Sequence, residues 1–495
     1  MSITDKTVTE LSQGLENGFF SSCEITDAFL KRIEDINPII NAYITIIAEQ
    51  ACKAAAEADK RRAQGQTQSK LDGIPLALED SFCVDGVLTT CASRMLYNFK
   101  PPYSATCWSK LAQAGAILLA KANMDEFAMG ISTETSAYGR TLNPFNIEYV
   151  PGGSCGGAAV AVAADLAAFA LGLDSGGGVR QPAHFCGVVG FKPSYGRVSR
   201  FGIVPMASSM DQSGILAKSV CDAAIILETL AGADVCDANT LNVAVGAYVA
   251  ACGQSINGLK IGIPREFLEL DLEPATAKLI EQAALLLREA GAQVDEVSLP
   301  HTKYALPAYF VLSAAEVSSN LARFDGVNYG LRVEKENVYD MIAASRSQGF
   351  GTEAKLRILL GAYFTSAEQI DTCYNRALRI RTLIKRDYDT LFESGYACLL
   401  TPVSAGAAFK PGSKEQNPGL LDKTDFYTAP LNMAGLPGLS LPFSIINGLP
   451  RGLQLIGRSF DEETLFKVAA AIEQPRIIPT HIVEQVSRKG VAQNG

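Results

Sequence analysis

Two glycine-rich segments, Pro151-Gly-Gly-Ser-Cys-Gly-Gly-Ala158 and Leu173-Asp-Ser-Gly-Gly-Gly-Val-Arg-Gln-Pro182, decide the fold of this chain. The first leads into a helix of small residues, and the second follows an apolar strand that we predict over residues 167–173. Because glycine has no side chain, the turn after that strand presents backbone N–H groups without obstruction. Such a turn suits a developing oxyanion or a carboxylate.

Glycine-rich loops also occur at phosphate sites and at closely packed sheet edges. Neither segment matches the phosphate-binding pattern GxxxxGK[ST], and neither is followed by the acidic residue of a dinucleotide site. Close packing of the backbone at a sheet edge would also require glycine. Two such loops about twenty residues apart, with Arg180-Gln-Pro182 after the second, favour a binding or catalytic site.

Helix and strand signals alternate along the rest of the chain. A helix is predicted from Ser22 to Asn37, where Pro38 ends it, and apolar strands are predicted at 74–78, 116–122, 259–263, 293–297, 397–401, 438–441 and 453–456. This alternation favours an α/β fold in which a mixed sheet is sandwiched between helices. We expect a single domain over residues 1–495, with a helical N-terminal segment (1–65) and an inserted helical region at about 265–423.

Composition and patterning exclude several classes of protein. The 495 residues are 48% hydrophobic and 19% charged, which favours a large buried core over a disordered chain. The net charge of −9 argues against direct binding of nucleic acid, which needs a basic face. The N-terminus lacks the features of a signal peptide, and no run of about 18 apolar residues occurs, so we predict a cytoplasmic protein without membrane contact. The 12 cysteines form no CxxC pair and only three histidines occur, so neither a metal site nor a cofactor is predicted.

The two glycine-rich segments, together with Leu71-Asp-Gly-Ile-Pro-Leu-Ala-Leu-Glu-Asp80, resemble the amidase signature family. Members of that family hydrolyse amides with a nucleophilic Ser, a second Ser that follows a cis peptide bond, and a Lys. The resemblance places the Lys at Glu79, the cis-Ser at Ser154 and the nucleophile at Gly178. It therefore implies the fold of the family and two substituted positions in its reaction centre.

Within the family, the chain is similar to the A subunits of tRNA-dependent amidotransferases. Supporting stretches include residues 123–130, 185–200, 318–326, 429–438 and 452–457. The similarity implies that Arg357 and Asp425 hold the α-carboxylate and α-ammonium of glutamine or a related small-molecule amide or amino acid. It also implies a protein partner that resembles an amidotransferase B or C subunit. For each of these two residues, an intramolecular or surface ion pair is the alternative role.

Departures from the family cluster near the reaction centre: besides Glu79 and Gly178, Cys155 and Ala158 replace serine, and His184 replaces a small residue. We therefore predict that the chain is not a functional glutaminase by the Ser–cis-Ser–Lys route, and that it performs repurposed, non-hydrolytic chemistry on an amide or amino-acid-like substrate. One alternative is a non-catalytic scaffold or regulatory partner in an amidotransferase-like complex. Another is an amidohydrolase that uses Cys155, because a helix N-terminus lowers the pKa of a thiol; its side chain could instead point into the scaffold.

The sequence also predicts how the candidate residues are arranged. A buried Glu79 would have a raised pKa and could exchange protons with substrate; alternatively, it forms only a buried hydrogen bond. We expect Glu79, Ser154, the Ser175–Gly178 turn and, as a further candidate, His184 to line one cavity, with Arg357 and Asp425 at its outer end. The catalytic candidates are Glu79, Ser154, Cys155 and His184, and the substrate-binding candidates are Ser175, Gly176, Gly177, Gly178, Arg357 and Asp425.

Overall fold

The computed structural model of the chain describes residues 2–270, 272–417, 419, 422–476 and 479. In the described residues, eleven strands form one sheet. They are β1 (Tyr43–Ile46), β2 (Pro75–Glu79), β3 (Ile117–Ala122), β4 (Phe169–Asp174), β5 (Val189–Lys192), β6 (Gln212–Ala217), β7 (Lys260–Pro264), β8 (Gln293–Val297), β9 (Tyr396–Pro402), β10 (Gly438–Ile446) and β11 (Leu449–Gly457).

The sheet is mixed, with the strand order β1-β3-β2-β4-β6-β5-β10-β11-β9-β7-β8. Strand β2 pairs in parallel with β3 and β4, and β7 pairs in parallel with β8 and β9. The other neighbouring pairs are antiparallel. The predicted mixed sheet is therefore confirmed, and the strand predicted at 167–173 is β4, which has hydrogen-bonded neighbours on both sides.

Every residue of β2, β3, β4 and β6 is buried. Since successive side chains of a strand point to opposite faces, both faces of the sheet are covered, and helices provide the cover. The predicted α/β fold with a mixed sheet between helices is thus confirmed. In the described residues the α-helices are α1 (Val8–Glu16), α2 (Ser22–Ile40), α3 (Ala48–Ala63), α4 (Thr106–Gln113), α5 (Gly156–Ala163), α6 (Arg180–Cys186), α7 (Val220–Leu230), α8 (Tyr248–Ala251), α9 (Glu266–Glu269), α10 (Pro274–Glu289), α11 (Ala305–Asn320), α12 (Val338–Gly349), α13 (Thr352–Phe364), α14 (Asn375–Glu393), α15 (Ser413–Gln416), α16 (Asp422–Asp425), α17 (Ala429–Ala434) and α18 (Glu462–Ile472).

Helix α2 extends beyond the proline that was expected to end it. Pro38 lies inside its last turn, and the helix ends at Ile40, followed by the capping residue Asn41, whose φ of 51° is left-handed. Ile36 and Ile40 are both buried on the core face of this turn. Packing of these side chains therefore outweighs the hydrogen bond that Pro38 cannot donate.

The region between residues 265 and 423 contributes helices and also strands β8 and β9 of the common sheet. Helix α13 lies against α11 at Gly361, where a Cβ would collide with the backbone carbonyl of Ala314. Only glycine permits this close approach of the two helices. The same packing buries Arg357, four residues earlier, on the inner face of α13.

Candidate active site

A cavity lies at the carboxyl end of β4, between the turn that follows this strand and the loop before α5. We call it the glycine-turn cavity. Its wall includes Ser154, Ser175, the glycines 176–178, Tyr309, Arg357 and Asp425. The structure thus brings one catalytic candidate and all the substrate-binding candidates into one wall. Their roles toward a substrate stay predictions.

The loop before α5 fixes Ser154 in the cavity wall. The peptide bond between Gly153 and Ser154 is cis, and the Ser154 carbonyl accepts a hydrogen bond from the Asp125 N–H at 3.1 Å. A Cβ at Gly153 would collide with the Asp125 carboxylate, so this position requires glycine. The Ser154 hydroxyl oxygen lies 2.8 Å from the point that a Cβ of residue 178 would occupy. Ser154 therefore faces the glycine turn directly.

The turn after β4 is shaped by the carboxylate of Asp174. This carboxylate accepts hydrogen bonds from the N–H of Gly177 at 3.0 Å and of Val179 at 3.2 Å. Within the described residues, the N–H groups of Gly176 and Gly178 donate to no protein acceptor. These two groups are therefore available to a substrate oxygen, as an oxyanion site requires.

A buried ion pair holds Asp174 in place. Arg180, at the start of α6, is fully buried, and its Nη2 and Nε donate to the two oxygens of Asp174 at 2.9 and 3.0 Å. Burial alone would raise the pKa of Asp174, but the Arg180 guanidinium outweighs burial and lowers it to about 2. Asp174 is consequently charged at neutral pH and maintains the turn.

Arg357 contributes a positive charge to the wall. Only 8% of the residue is exposed, and its guanidinium lies 4.7 Å above the ring of Phe310. Its Nε donates to Glu353 at 2.9 Å, and its Nη1 lies 3.4 Å from the Ser313 hydroxyl. The intramolecular ion pair considered as an alternative is therefore present, while the same guanidinium also borders the cavity beside Asp425 in its wall.

Glu79 lies behind the wall rather than in it. Its side chain is fully buried at the end of β2, and its Oε2 accepts a hydrogen bond from the Leu173 N–H at 2.5 Å. Burial raises the pKa of Glu79 to about 7, against the lowering effect of the hydrogen bonds that it accepts. The expected raised pKa is therefore confirmed, although the carboxyl does not border the cavity.

Cys155 also lies behind the wall, because its thiol points into the scaffold. Its Sγ lies 3.2 Å from the Leu173 carbonyl oxygen, and the residue is completely buried. Burial, followed by the negative charge of Glu79, raises the pKa of the thiol well above its usual range. The expectation that the start of a helix lowers this pKa is wrong, since desolvation and a neighbouring carboxylate dominate.

We expect Cys155 to resist alkylation in the native protein. A buried thiol with a raised pKa supplies almost no thiolate at neutral pH, whereas Cys52 and Cys236 are exposed. Mass spectrometry after brief treatment with iodoacetamide at about pH 7.5 should find label on the two exposed residues and not on Cys155. Alkylation in denaturant provides the control, because all three residues should then react. Rapid labelling of native Cys155 would contradict this placement.

His184 is not part of the cavity. Its Nδ1 accepts a hydrogen bond from the Gly452 N–H at 2.7 Å, and its Nε2 lies 3.0 Å from the Gly406 carbonyl oxygen. Burial lowers the pKa of His184 to about 4. A neutral imidazole with both nitrogens bonded to backbone joins α6 to neighbouring segments, so the expected position in the cavity is wrong.

Among the residues at the cavity that sequence reasoning missed are two titratable ones. Tyr309 of α11 is in its wall, and Asp211 accepts a hydrogen bond from the Ser175 hydroxyl at 2.5 Å. Burial raises the pKa of Asp211 to about 6. Neither residue lies in a glycine-rich motif. The one local indication in the sequence is that Asp211 is an acidic residue directly before the apolar strand β6.

Two features are absent from the part of the chain that the structure describes. No cluster of three or more His, Cys, Asp and Glu side chains in these residues is placed to hold a metal ion. No helix in the same residues combines the length and the apolar character that crossing a bilayer requires.

Three comparisons with known proteins identify the same kind of relative, and each covers nearly the whole length of this chain. The sequence model described as Amidase matches residues 24–466. The A subunit of glutamyl-tRNA(Gln) amidotransferase from Moorella thermoacetica is 51% identical over 94% of this chain and 96% of its own length, and that of a Roseiflexus species is 49% identical over 94% and 96%. The crystal structure of the A subunit from Thermotoga maritima superposes with a TM-score of 0.80 at 35% identity, covering 97% of this chain and 99% of that one.

These comparisons contradict the predicted function. We expected a protein that is not a functional glutaminase, with repurposed chemistry, a scaffolding role or a Cys155 nucleophile. Relatives that share about half of their residues with nearly the whole chain are instead named as amidotransferase subunits. The prediction was wrong because it gave the substituted positions Glu79 and Gly178 more weight than the rest of the chain. The cavity retains a serine hydroxyl, available backbone donors and two charged residues.

Proposed function

Because this chain belongs to the amidase family, we propose that it hydrolyses the side-chain amide of an amino acid such as glutamine and releases ammonia, as the A-type subunit of an amidotransferase. One observation carries the proposal: the glycine-turn cavity unites the Ser154 hydroxyl, the turn at 176–178, Arg357 and Asp425 in one wall. These are the groups required to bind a charged amino-acid amide and to stabilise its tetrahedral intermediate.

The proposed reaction uses Ser154 as the nucleophile. Its Oγ attacks the amide carbon, and the N–H groups of Gly176 and Gly178 donate to the carbonyl oxygen as it becomes negative. The amide nitrogen leaves as ammonia after it gains a proton, and water then hydrolyses the ester on Ser154. The net reaction consumes one amide and one water and yields one carboxylate and one ammonia. Arg357 holds the α-carboxylate of the substrate, and Asp425 holds its α-ammonium.

A protein partner forms part of the proposal. The relatives are named as subunits of an enzyme that acts on glutamyl-tRNA(Gln), and a net charge of −9 disfavours direct contact of this chain with RNA. We infer that a partner resembling an amidotransferase B or C subunit supplies the RNA contact. The cytoplasmic location expected from the sequence stays a prediction.

Ammonia release tests the proposed function. The full chain, alone and co-expressed with amidotransferase B and C subunits, would be incubated with glutamine, asparagine and butyramide, and ammonia would be measured. We expect release from glutamine or asparagine that exceeds release from butyramide, which lacks both charged groups. Absence of release in both forms of the protein, with glutamine at saturating concentration, would overturn the proposal.

We expect Arg357→Gln to weaken binding of charged substrates selectively. Loss of charge-assisted hydrogen bonds worth about 1.5–3 kcal/mol should raise the KM for glutamine by roughly 10- to 100-fold with little change in kcat. The steady-state kinetics of butyramide should not change, because it has no carboxylate. Arg379→Gln, at an exposed position of α14, is the matched control. An equal loss for both substrates would show that Arg357 acts only on the structure.

A further inference from the structure

One oxygen of the buried Glu79 carboxyl is unpartnered. Oε2 accepts hydrogen bonds from the Leu173 N–H at 2.5 Å and the Ser81 hydroxyl at 3.2 Å. Within the described residues, Oε1 has no hydrogen-bond partner although the side chain is completely buried. Such an arrangement is unfavourable for a purely structural carboxylate, because buried polar atoms in folded proteins are nearly always satisfied.

The thiol of Cys155 connects Glu79 with the cavity. Cys155 and Glu79 meet at the backbone of one residue: the Leu173 N–H donates to Glu79 Oε2 at 2.5 Å, and the Leu173 carbonyl oxygen lies 3.2 Å from Cys155 Sγ. The Cys155 Sγ in turn lies 3.9 Å from the Ser154 Oγ. Ser154 borders the cavity, whereas Cys155 and Glu79 lie behind it. The three side chains therefore form a row that leads from the cavity wall to a buried carboxyl; we call it the Ser154–Cys155–Glu79 row.

We propose that Glu79 is the proton acceptor of the cavity and that it acts on Ser154 through the thiol of Cys155. This inference rests on the proposed function. As the Ser154 Oγ forms its bond to the amide carbon, its proton passes to Cys155 Sγ while the thiol proton passes to the Glu79 carboxylate. The reverse transfers deliver one proton to the departing amide nitrogen. No charge stays on the thiol, so its raised pKa does not oppose the step.

The row differs in charge from the arrangement that the resemblance implies, because a carboxyl stands where a lysine was expected. An amine with its ordinary pKa must lose a proton before it acts as a base. A buried carboxyl with a pKa near neutrality is already partly ionised. Burial thus gives the Glu79 carboxyl a pKa suited to accepting a proton near neutrality.

The charges around Glu79 are compatible with titration near neutrality. Burial raises its pKa to about 7, so the active carboxylate form accumulates as the pH rises through that value. Asp174, on the strand beside it, is neutralised by Arg180, and Asp80, the next residue along the chain after β2, is paired with Lys121 at 2.9 Å. The titratable groups that interact with Glu79 from the packed elements are Asp80, Cys91 and Cys155.

The pH profile of ammonia release from glutamine tests the row. For the wild type, we expect kcat/KM to rise with pH through an apparent pKa near 7. Glu79→Gln keeps the shape of the side chain but removes the base, so kcat/KM should fall at least about 100-fold and the rise should disappear. Cys155→Ala should cause the same loss, while Cys155→Ser should restore the rise because a hydroxyl also relays protons. Cys398→Ala, which removes a fully buried thiol of β9 away from Glu79, is the matched control and should leave the profile unchanged.

Each outcome of this experiment decides the matter. A folded Glu79→Gln that retains the wild-type rate and profile would show that the carboxyl is structural and overturn the inference. If that variant does not fold, equal profiles of Cys155→Ala and Cys155→Ser would overturn it, and rescue by serine alone would support it. If the wild type releases ammonia and the variant profiles are unchanged, only the proposed proton transfer through the Ser154–Cys155–Glu79 row is refuted. Absence of release by the wild type, alone and with its partners, refutes the proposed function itself.

Discussion

We expect Ser154→Ala to lower kcat for ammonia release from glutamine by on the order of a millionfold, because loss of a nucleophile leaves the other catalytic groups nothing to assist. The hydroxyl of Ser154 borders the cavity beside the turn at 176–178. By contrast, the other serine in the wall, Ser175, has its hydroxyl bonded to Asp211. A glutamate dehydrogenase assay would measure the rate, and calorimetry should find that glutamine still binds.

Two further variants make this test specific. Ser440→Ala removes a fully buried hydroxyl of β10 that has no hydrogen-bond partner among the described residues, so it should leave the rate unchanged. Ser175→Ala removes the hydrogen bond to Asp211 and should reduce the rate far less than Ser154→Ala. If Ser175→Ala abolished release while Ser154→Ala remained active, the nucleophile would be Ser175 and the proposed mechanism would be wrong.

Arg180→Met should lower the free energy of unfolding by about 3–5 kcal/mol, because it leaves the buried Asp174 carboxylate without its counter-charge. Asp174 holds the N–H groups of Gly177 and Val179, so the glycine turn should also become disordered and ammonia release should be lost. Urea denaturation followed by circular dichroism would measure the change in stability. Lys53→Met, which breaks an exposed pair with Glu49, should leave stability within experimental error.

The same pair predicts a pH dependence. The folded-state pKa of Asp174, about 2, lies below its ordinary value of 3.8. Its contribution to the wild-type free energy of unfolding is therefore complete above pH 3.8 and is lost as the pH falls through about 2. In the double variant Arg180→Met, Asp174→Asn, no buried charge remains, so stability should exceed that of Arg180→Met. Equal stabilities of the single and double variants would contradict the buried ion pair.

Strong local patterns predicted the central part of the fold. The strands that became β2, β3 and β4 are apolar runs, and the helices between them have a clear apolar face. Strands β1, β5 and β6 were missed. Strands β5 and β6 are short and contain glycine, and pairing of both edges with neighbours rather than local preference makes them strands.

Residue roles were less predictable than the fold. Sequence reasoning found Ser154 and the glycine turn because consecutive glycines at a strand end indicate a close approach to the backbone. It placed His184 in the cavity from proximity along the chain, whereas helix α6 directs this side chain toward Gly406 and Gly452. It judged the function from five departures near the reaction centre, Glu79 and Gly178 foremost, and the comparisons over the full length contradicted that judgement.

The sequence by itself determined the family, the mixed sheet and the position of the glycine turn, because these depend on motifs and periodicities that are local in the chain. Only the tertiary structure decided that Cys155 points away from the cavity, that Tyr309 and Asp211 adjoin it, and that Glu79 is a buried carboxyl with a raised pKa. The physical reason is that burial, electrostatic environment and side-chain direction are set by segments far apart in sequence, which the fold alone brings into contact.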